Sequence, residues 1–251
     1  MHKQKSNIPE MSGYSALIIG GSGGIGRELA LSLAKSKCRI QITGGNDKEK
    51  LLHTVEELKK FNKHSSGKLI QCNTAVQWVQ AATELLPVEI LIVSFGPFIQ
   101  KKLHNTDPSD WDQMSALNTA LPGALISSVL PHMQEKQFGR ILLFGGTGTD
   151  QCKAVKTTTA YTAAKTALNV IVKSVAREYA KYGISCNIVC PGFVETEYYT
   201  EQDKEKICKT FGINSFINPK ELADICIKDI LLQKNGLYNG AIIAIDQGMV
   251  I

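Results

Sequence analysis

The stretch Ser15-Ala-Leu-Ile-Ile19-Gly20-Gly21-Ser22-Gly23-Gly24-Ile25-Gly26, continuing as Arg27-Glu-Leu29-Ala-Leu-Ser-Leu33, decides how the rest of the chain is read. Ala16 to Ile19 are continuously apolar, which suits a strand covered on both faces in a parallel sheet. Ile25, Leu29 and Leu33 then recur at helical spacing. Between strand and helix lie five glycines in seven residues. Glycines let the backbone turn tightly and approach a ligand closely, and the helix N-terminus offers unpaired N–H groups and a positive dipole end. Strand, glycine-rich turn and helix together point to a bound nucleotide, with the phosphates on the turn.

Working outward, the same alternation repeats. Strand-type runs fall at Ser15–Gly20, Arg39–Thr43, Lys68–Cys72, Glu89–Ser94, Arg140–Phe144, Ser185–Cys190 and Ala241–Ile245. Helix-type segments fall at Ile25–Ser36, Glu49–Phe61, from Pro108 onward, at Thr159–Tyr182 and from Pro219 to Leu232. Strands alternating with helices predict right-handed βαβ units, hence an α/β fold with a doubly wound parallel sheet of about seven strands and helices on both faces. The stretch from Pro191 to Asn218 carries no clear period.

Composition narrows the class. The chain has 251 residues, 43% hydrophobic and 20% charged, with a net charge of +5. That is enough to bury a core without staples and too apolar for bulk disorder. Lys and Arg are scattered rather than striped, so no nucleic-acid partner is expected. No run approaches the ~20 apolar residues of a membrane span, and Met1–Glu10 is polar and basic, so neither a membrane span nor a secretory signal is expected. The seven cysteines are odd in number and hold no C-x-x-C pair. They read as core filling in a reducing cytoplasm, and no metal is expected. Residues 1–11 are assigned to a flexible basic tail and residues 12–251 to one domain.

A second motif carries chemistry. Tyr161-Thr-Ala-Ala-Lys165 opens the long Ala-rich helix, and the i, i+4 spacing puts both side chains on one face. An unperturbed phenol titrates near ~10, and an adjacent ammonium lowers that value. Such a pair can act as a general acid or base.

With both motifs in hand, the chain from about Ser12 to Ile251 resembles the short-chain dehydrogenase/reductase family, and its helix and C-terminal motifs resemble members that reduce 3-oxoacyl groups on a carrier protein. The turn matches the family's Gly-x-x-x-Gly-Ile-Gly. Tyr-x-x-x-Lys matches its active-site signature. Asn118 in Leu117-Asn118-Thr119-Ala120 matches its helix Asn, and Pro191-Gly192-Phe193-Val194-Glu195-Thr196 matches its Pro-Gly-x-x-x-Thr. The resemblance implies a Rossmann-type oxidoreductase that moves hydride between a nicotinamide dinucleotide and a carbonyl or secondary alcohol. It implies Tyr161 as the proton carrier, Lys165 as its partner and a cofactor-ribose ligand, and Asn118 as the holder of a relay water. Gly20, Ser22, Gly23, Gly24, Ile25 and Gly26 would carry the pyrophosphate. Pro191, Gly192, Val194 and Thr196 would hold the nicotinamide end. A homotetramer or homodimer is implied as well.

Several positions depart from the family pattern. Its catalytic Ser at the end of the fifth strand falls on Gly146 when counted from Gly139-Arg140, and on Gly148 when counted back from Tyr161. Thr147, with Thr149 second, is the candidate replacement hydroxyl. The fourth strand ends Ser94-Phe95-Gly96 in place of Asn-Ala-Gly, and the adenine-contacting Asp corresponds to Asn73. After the second strand come Thr43, Gly44, Asn46, Asp47 and Lys48, with neither an acid nor a base at the key Gly44. This favours NADP, with NAD as the alternative should Asp47 reach the ribose. Gln137 and Tyr182 stand where carrier-protein reductases place basic residues, with Lys136 and Lys181 adjacent, so an acidic carrier is disfavoured. Tyr198, Tyr199 and Phe211 suit an apolar substrate lid. The competing reading is a catalytically weak dinucleotide-binding sensor or interaction protein on the same fold.

Overall fold

The computed structural model describes residues 8–197, 199–233 and 236–249. Seven parallel strands form one sheet: β1 (Ser15–Ile19), β2 (Arg39–Gly44), β3 (Ser66–Leu69), β4 (Ile90–Val93), β5 (Gly139–Phe144), β6 (Ile184–Pro191) and β7 (Ile242–Ile245). Their spatial order is β3-β2-β1-β4-β5-β6-β7. The chain winds outward from β1 to β3, returns to β4 beside β1, and winds the other way to β7. The crevice above the carboxyl ends of β1 and β4 is therefore a topological switch point, where open α/β sheets bind ligands.

The central strands β1, β4 and β5 carry apolar residues on both sides because helices cover both sides. Ala16, Ile18, Ile90, Ile92, Leu142 and Phe144 face one core, shared with α1 (Gly24–Ala34), α2 (Lys48–Lys59) and α8 (Pro219–Ile225). Leu17, Ile19, Leu91, Val93, Ile141 and Leu143 face the other, shared with α3 (Ala75–Ala82), α5 (Leu121–Lys136) and α6 (Thr159–Tyr179). Each fully buried Leu or Ile contributes roughly 1.5–3 kcal/mol. Among the described residues the remaining α-helices are α4 (Pro108–Ser115) and α7 (Glu201–Phe211).

Local departures from the sequence reading have local causes. The third strand runs from Ser66 to Leu69 rather than Lys68 to Cys72. It is an edge strand of partly exposed residues, so little apolar pattern sets its bounds. The helix α3 is not among the segments that periodicity marks, although Thr74 caps it by accepting the Gln77 N–H. The Pro219 helix changes to a wider π-helical turn over Cys226–Leu231. Within the stretch that carries no period, α7 begins with Thr200 and Asp203 capping each other. Met11, which the sequence assigns to the tail, is buried, and its N–H donates to Ser36 O at 2.7 Å. Most of that tail, and Tyr198, lie outside the described residues.

Candidate active site

The phosphate turn is built by what its glycines leave out. Gly20 adopts φ +83°, and a Cβ there would meet Phe95 at 3.0 Å. At Gly26 a Cβ would collide with the Gly20 carbonyl and lie 2.6 Å from Ser94 Oγ. Ser94 is thereby fixed beneath the turn, its hydroxyl donating to Ile19 O at 2.9 Å. Thr43 is fully buried, and its hydroxyl accepts the Gly20 N–H at 3.0 Å. Of the sequence candidates, Thr43 thus braces the turn from inside. No side chain caps α1 at Gly23, and the first turn of the helix holds no acidic residue. Its orphan N–H groups and dipole suit an anion.

Beyond the turn, Gly44 is buried, and a Cβ there would meet Ser22 Oγ at 3.0 Å. Asn46 is exposed, and Asp47 caps α2 by accepting the Lys50 N–H at 2.8 Å. Asn73 is exposed, with its N–H donating to Gln77 Oε1. Over the turn from the opposite side comes the segment after β6. Gly192 packs on Asp246, where a Cβ would meet Cα at 3.0 Å. Val194 is buried and bridges to Ile217. Thr196 Cγ2 lies 3.5 Å from the Cβ position of Gly24.

The Tyr161 motif faces this crevice from α6. Lys165 is buried, and its ammonium donates to Phe144 O at 2.9 Å, at the end of β5. Burial pushes its pKa down to about 8. Burial also pushes the Tyr161 phenol up, with Cys190 and Tyr199 adding to the shift. Asn118 sits in a π-helical turn, Ala116–Ala120, a rare distortion that concentrates at functional sites. Thr119 ties that turn to α6 by donating to Ala164 O at 2.7 Å. Asn118 Nδ2 donates to Pro97 O at 3.0 Å, while the fully buried Oδ1 has no protein partner. Such an atom calls for a water or ligand donor. Gly96 makes the meeting possible: a Cβ there would strike Asn118 Oδ1 and lie 2.9 Å from Lys165 Nζ.

The missing hydroxyl has a definite geometry. Gly146 faces the tyrosine, since a Cβ there would lie 2.7 Å from Tyr161 Oη. Thr149 is fully buried and doubly engaged, accepting the Gly146 N–H at 2.9 Å and donating to Gly146 O at 3.0 Å. Thr147 is partly exposed and donates to Pro191 O at 3.1 Å.

Several neighbours were not legible in the sequence. Phe98, 61% exposed, meets the Tyr161 ring edge-on at 5.0 Å. Phe193 and Phe216 join Tyr199 and Phe211, two of the aromatics expected in a lid, in one aromatic cluster in the segment after β6. The Lys50 ammonium of α2 pairs with Glu197 across the turn. Among the described residues no cluster of His, Cys, Asp or Glu could hold a metal, and no helix is long and apolar enough to cross a membrane.

A parallel sheet with a switch-point glycine turn, a buried Lys165 and Asn118 and a partly buried Tyr161 defines a dinucleotide-type oxidoreductase scaffold. The short chain dehydrogenase family model matches residues 14–207, and the chain belongs to that family. It is 26% identical over 246 residues to the uncharacterised oxidoreductase YmfI of Bacillus subtilis, covering 93% of this chain and 98% of that one. It is 25% identical over 247 residues to the dehydrogenase/reductase SDR family member 6 of Rattus norvegicus, covering 95% and 98%. A solved 3-oxoacyl (acyl-carrier-protein) reductase of Agrobacterium tumefaciens with NADP bound superposes with a TM-score of 0.83 at 22% identity, covering 98% of each chain.

Proposed function

We propose that this chain is an NADP(H)-dependent oxidoreductase acting on a carbonyl or secondary alcohol of a small, partly apolar substrate. The observation that carries the reading is the placing of Tyr161, Lys165 and Asn118 around Gly96 and Gly146, beside a glycine turn that opens a helix with no side-chain cap and no acid in its first turn. The nicotinamide of the bound dinucleotide supplies or accepts the hydride. The N–H groups from Ser22 to Gly26 and the α1 dipole hold the pyrophosphate. Ser94 and Gly96 line the floor, and Asn73 meets the adenine. Pro191, Gly192, Val194 and Thr196 hold the nicotinamide end. Asp47 is occupied as a helix cap, and Lys50 stands near the turn; together they favour NADP over NAD.

Tyr161 remains a neutral phenol at neutral pH, so it donates its proton to a substrate carbonyl oxygen. Lys165 as an ammonium stabilises the phenolate left behind. Asn118 Oδ1, lacking a protein donor, holds the water that returns the proton. Thr147 supplies the second hydroxyl by turning away from Pro191 O, a freedom that the doubly bonded Thr149 lacks. Phe98, Phe193 and Tyr199 form the apolar wall. The helices carrying Asn118 and Tyr161 are the faces on which a homodimer or homotetramer would assemble.

The test is steady-state turnover on a panel of ketones and secondary alcohols with both dinucleotides. Tyr161→Phe should lose roughly 10²–10⁴-fold in kcat, the usual worth of a general acid, with dinucleotide binding retained. Turnover near wild type in that variant would sink the mechanism. The engaged hydroxyls of Thr147 and Thr149 favour a second reading, a dinucleotide-binding sensor of little activity. Steady turnover of any panel member eliminates it.

A further inference from the structure

Lys50 and Glu197 are separated by 147 residues, one on α2 and the other on the segment after β6. Their ammonium and carboxylate form an ion pair. The pair rests on the phosphate turn itself. A Cβ at Gly23 would lie 2.6 Å from Lys50 Nζ and 3.1 Å from Glu197 Oε1, so any side chain at residue 23 would evict it. Thr196, next to Glu197, covers Gly24. The cation and the anion therefore occupy the mouth through which a dinucleotide phosphate must pass.

We propose that Lys50 and Glu197 form an anion-responsive clasp: a dinucleotide phosphate arriving at Gly23 takes Lys50 as its counter-ion and displaces Glu197, which acts as a built-in competitor. The inference rests on the dinucleotide reading above and adds to it the two residues that set phosphate affinity. An ammonium on a flexible stem is suited to swing between two acceptors. A phosphate is the stronger of the two, carrying more charge and meeting the N–H groups of the turn at the same time. The carboxylate is ionised when the phosphate arrives: burial raises its pKa, but the Lys50 hydrogen bond, its own backbone N–H and the Lys50 charge together outweigh this and hold it low. Left in place, it would repel the incoming anion. Both side chains are partly exposed, at 37% and 45%, so their pairing is weak enough to be exchanged.

The experiment measures dissociation constants of the full chain for NADPH and NADH by nicotinamide fluorescence, in wild type, Lys50→Met, Lys50→Arg and Glu197→Gln. Lys50→Met should weaken binding about tenfold or more, the loss of one charge-assisted contact. Lys50→Arg should keep most of the affinity. Glu197→Gln should tighten binding by about two- to fivefold, the scale of an exposed ion pair. A Lys50→Met loss confined to NADPH assigns the ammonium to the 2′-phosphate, and an equal loss for both assigns it to the pyrophosphate. Either result supports the clasp. If Lys50→Met binds within twofold of wild type, or Glu197→Gln binds more weakly, the clasp is overturned while the dinucleotide reading stands. If wild type binds neither dinucleotide, the functional reading falls and takes the clasp with it.

Discussion

Replacing Lys165 with Met separates what this lysine does for chemistry from what it does to the fold. Burial lowers its pKa from 10.5 to about 8. A lysine whose folded pKa is depressed holds its proton less tightly in the folded chain than in the unfolded one. The ionisation penalty is present in full below pH 8 and is relieved as pH rises toward 10.5. A tenfold change in proton affinity is worth about 1.36 kcal/mol, so the penalty at neutral pH is about 3 kcal/mol. Methionine removes it but takes the donor from Phe144 O, which costs about 1–3 kcal/mol. The variant should therefore be as stable as wild type at pH 7, or more stable by up to about 2 kcal/mol. The pH series is sharper. Between pH 7 and pH 9.5 the wild type should gain about 2 kcal/mol relative to Lys165→Met, and the variant's advantage should shrink accordingly. Urea unfolding followed by tryptophan fluorescence at several pH values measures both curves. Turnover of the variant should collapse throughout. A stability difference that stays constant with pH, or widens in favour of the variant, would refute the reasoning.

Two further outcomes follow from the same geometry. Gly146→Ser restores the family's hydroxyl in sequence, but its Cβ would lie 2.7 Å from Tyr161 Oη, so the phenol must move. Expected are a lower kcat and about 1–3 kcal/mol of lost stability; an increase in kcat in steady-state assays would contradict this. At the opposite end of the sheet, buried Glu89 accepts from Ser15 N at 2.8 Å and pairs with His132 at 2.7 Å. Burial raises its pKa, but the His132 and Ser15 bonds prevail and the net shift is downward. Its stabilisation is present above the unfolded value near 4.5 and lost as pH falls through the folded value. Glu89→Gln should lower the melting temperature at pH 7 and lose less on acidification than wild type does. Parallel acid profiles for the two proteins would remove Glu89 from the account.

The parts of this molecule that could be read from sequence are those where one short stretch carries both the pattern and its cause. β1, β4 and β5 announce themselves because helices cover both faces, which leaves an unbroken apolar run of four residues in each. The glycine turn does so because backbone approach allows no side chain at Gly26. The edge strand β3, with partly exposed residues, left no such record, and the π-turn at Asn118 leaves none because it changes the register of hydrogen bonds rather than the residue types. The ion pair of Lys50 with Glu197 joins residues too distant for any spacing rule, and each alone reads as a solvated surface charge. Gly146 shows the limit most clearly. Read along the chain, it is one of two positions, with Gly148, at which the family's hydroxyl is missing. In the folded protein it is the surface against which the Tyr161 phenol rests, and Gly96 is likewise the gap into which Asn118 Oδ1 and Lys165 Nζ project. A glycine in this site is therefore defined by the side chain that occupies its vacant Cβ position. It follows that restoring the family residue at 146 is a steric change to Tyr161 before it is a chemical gain.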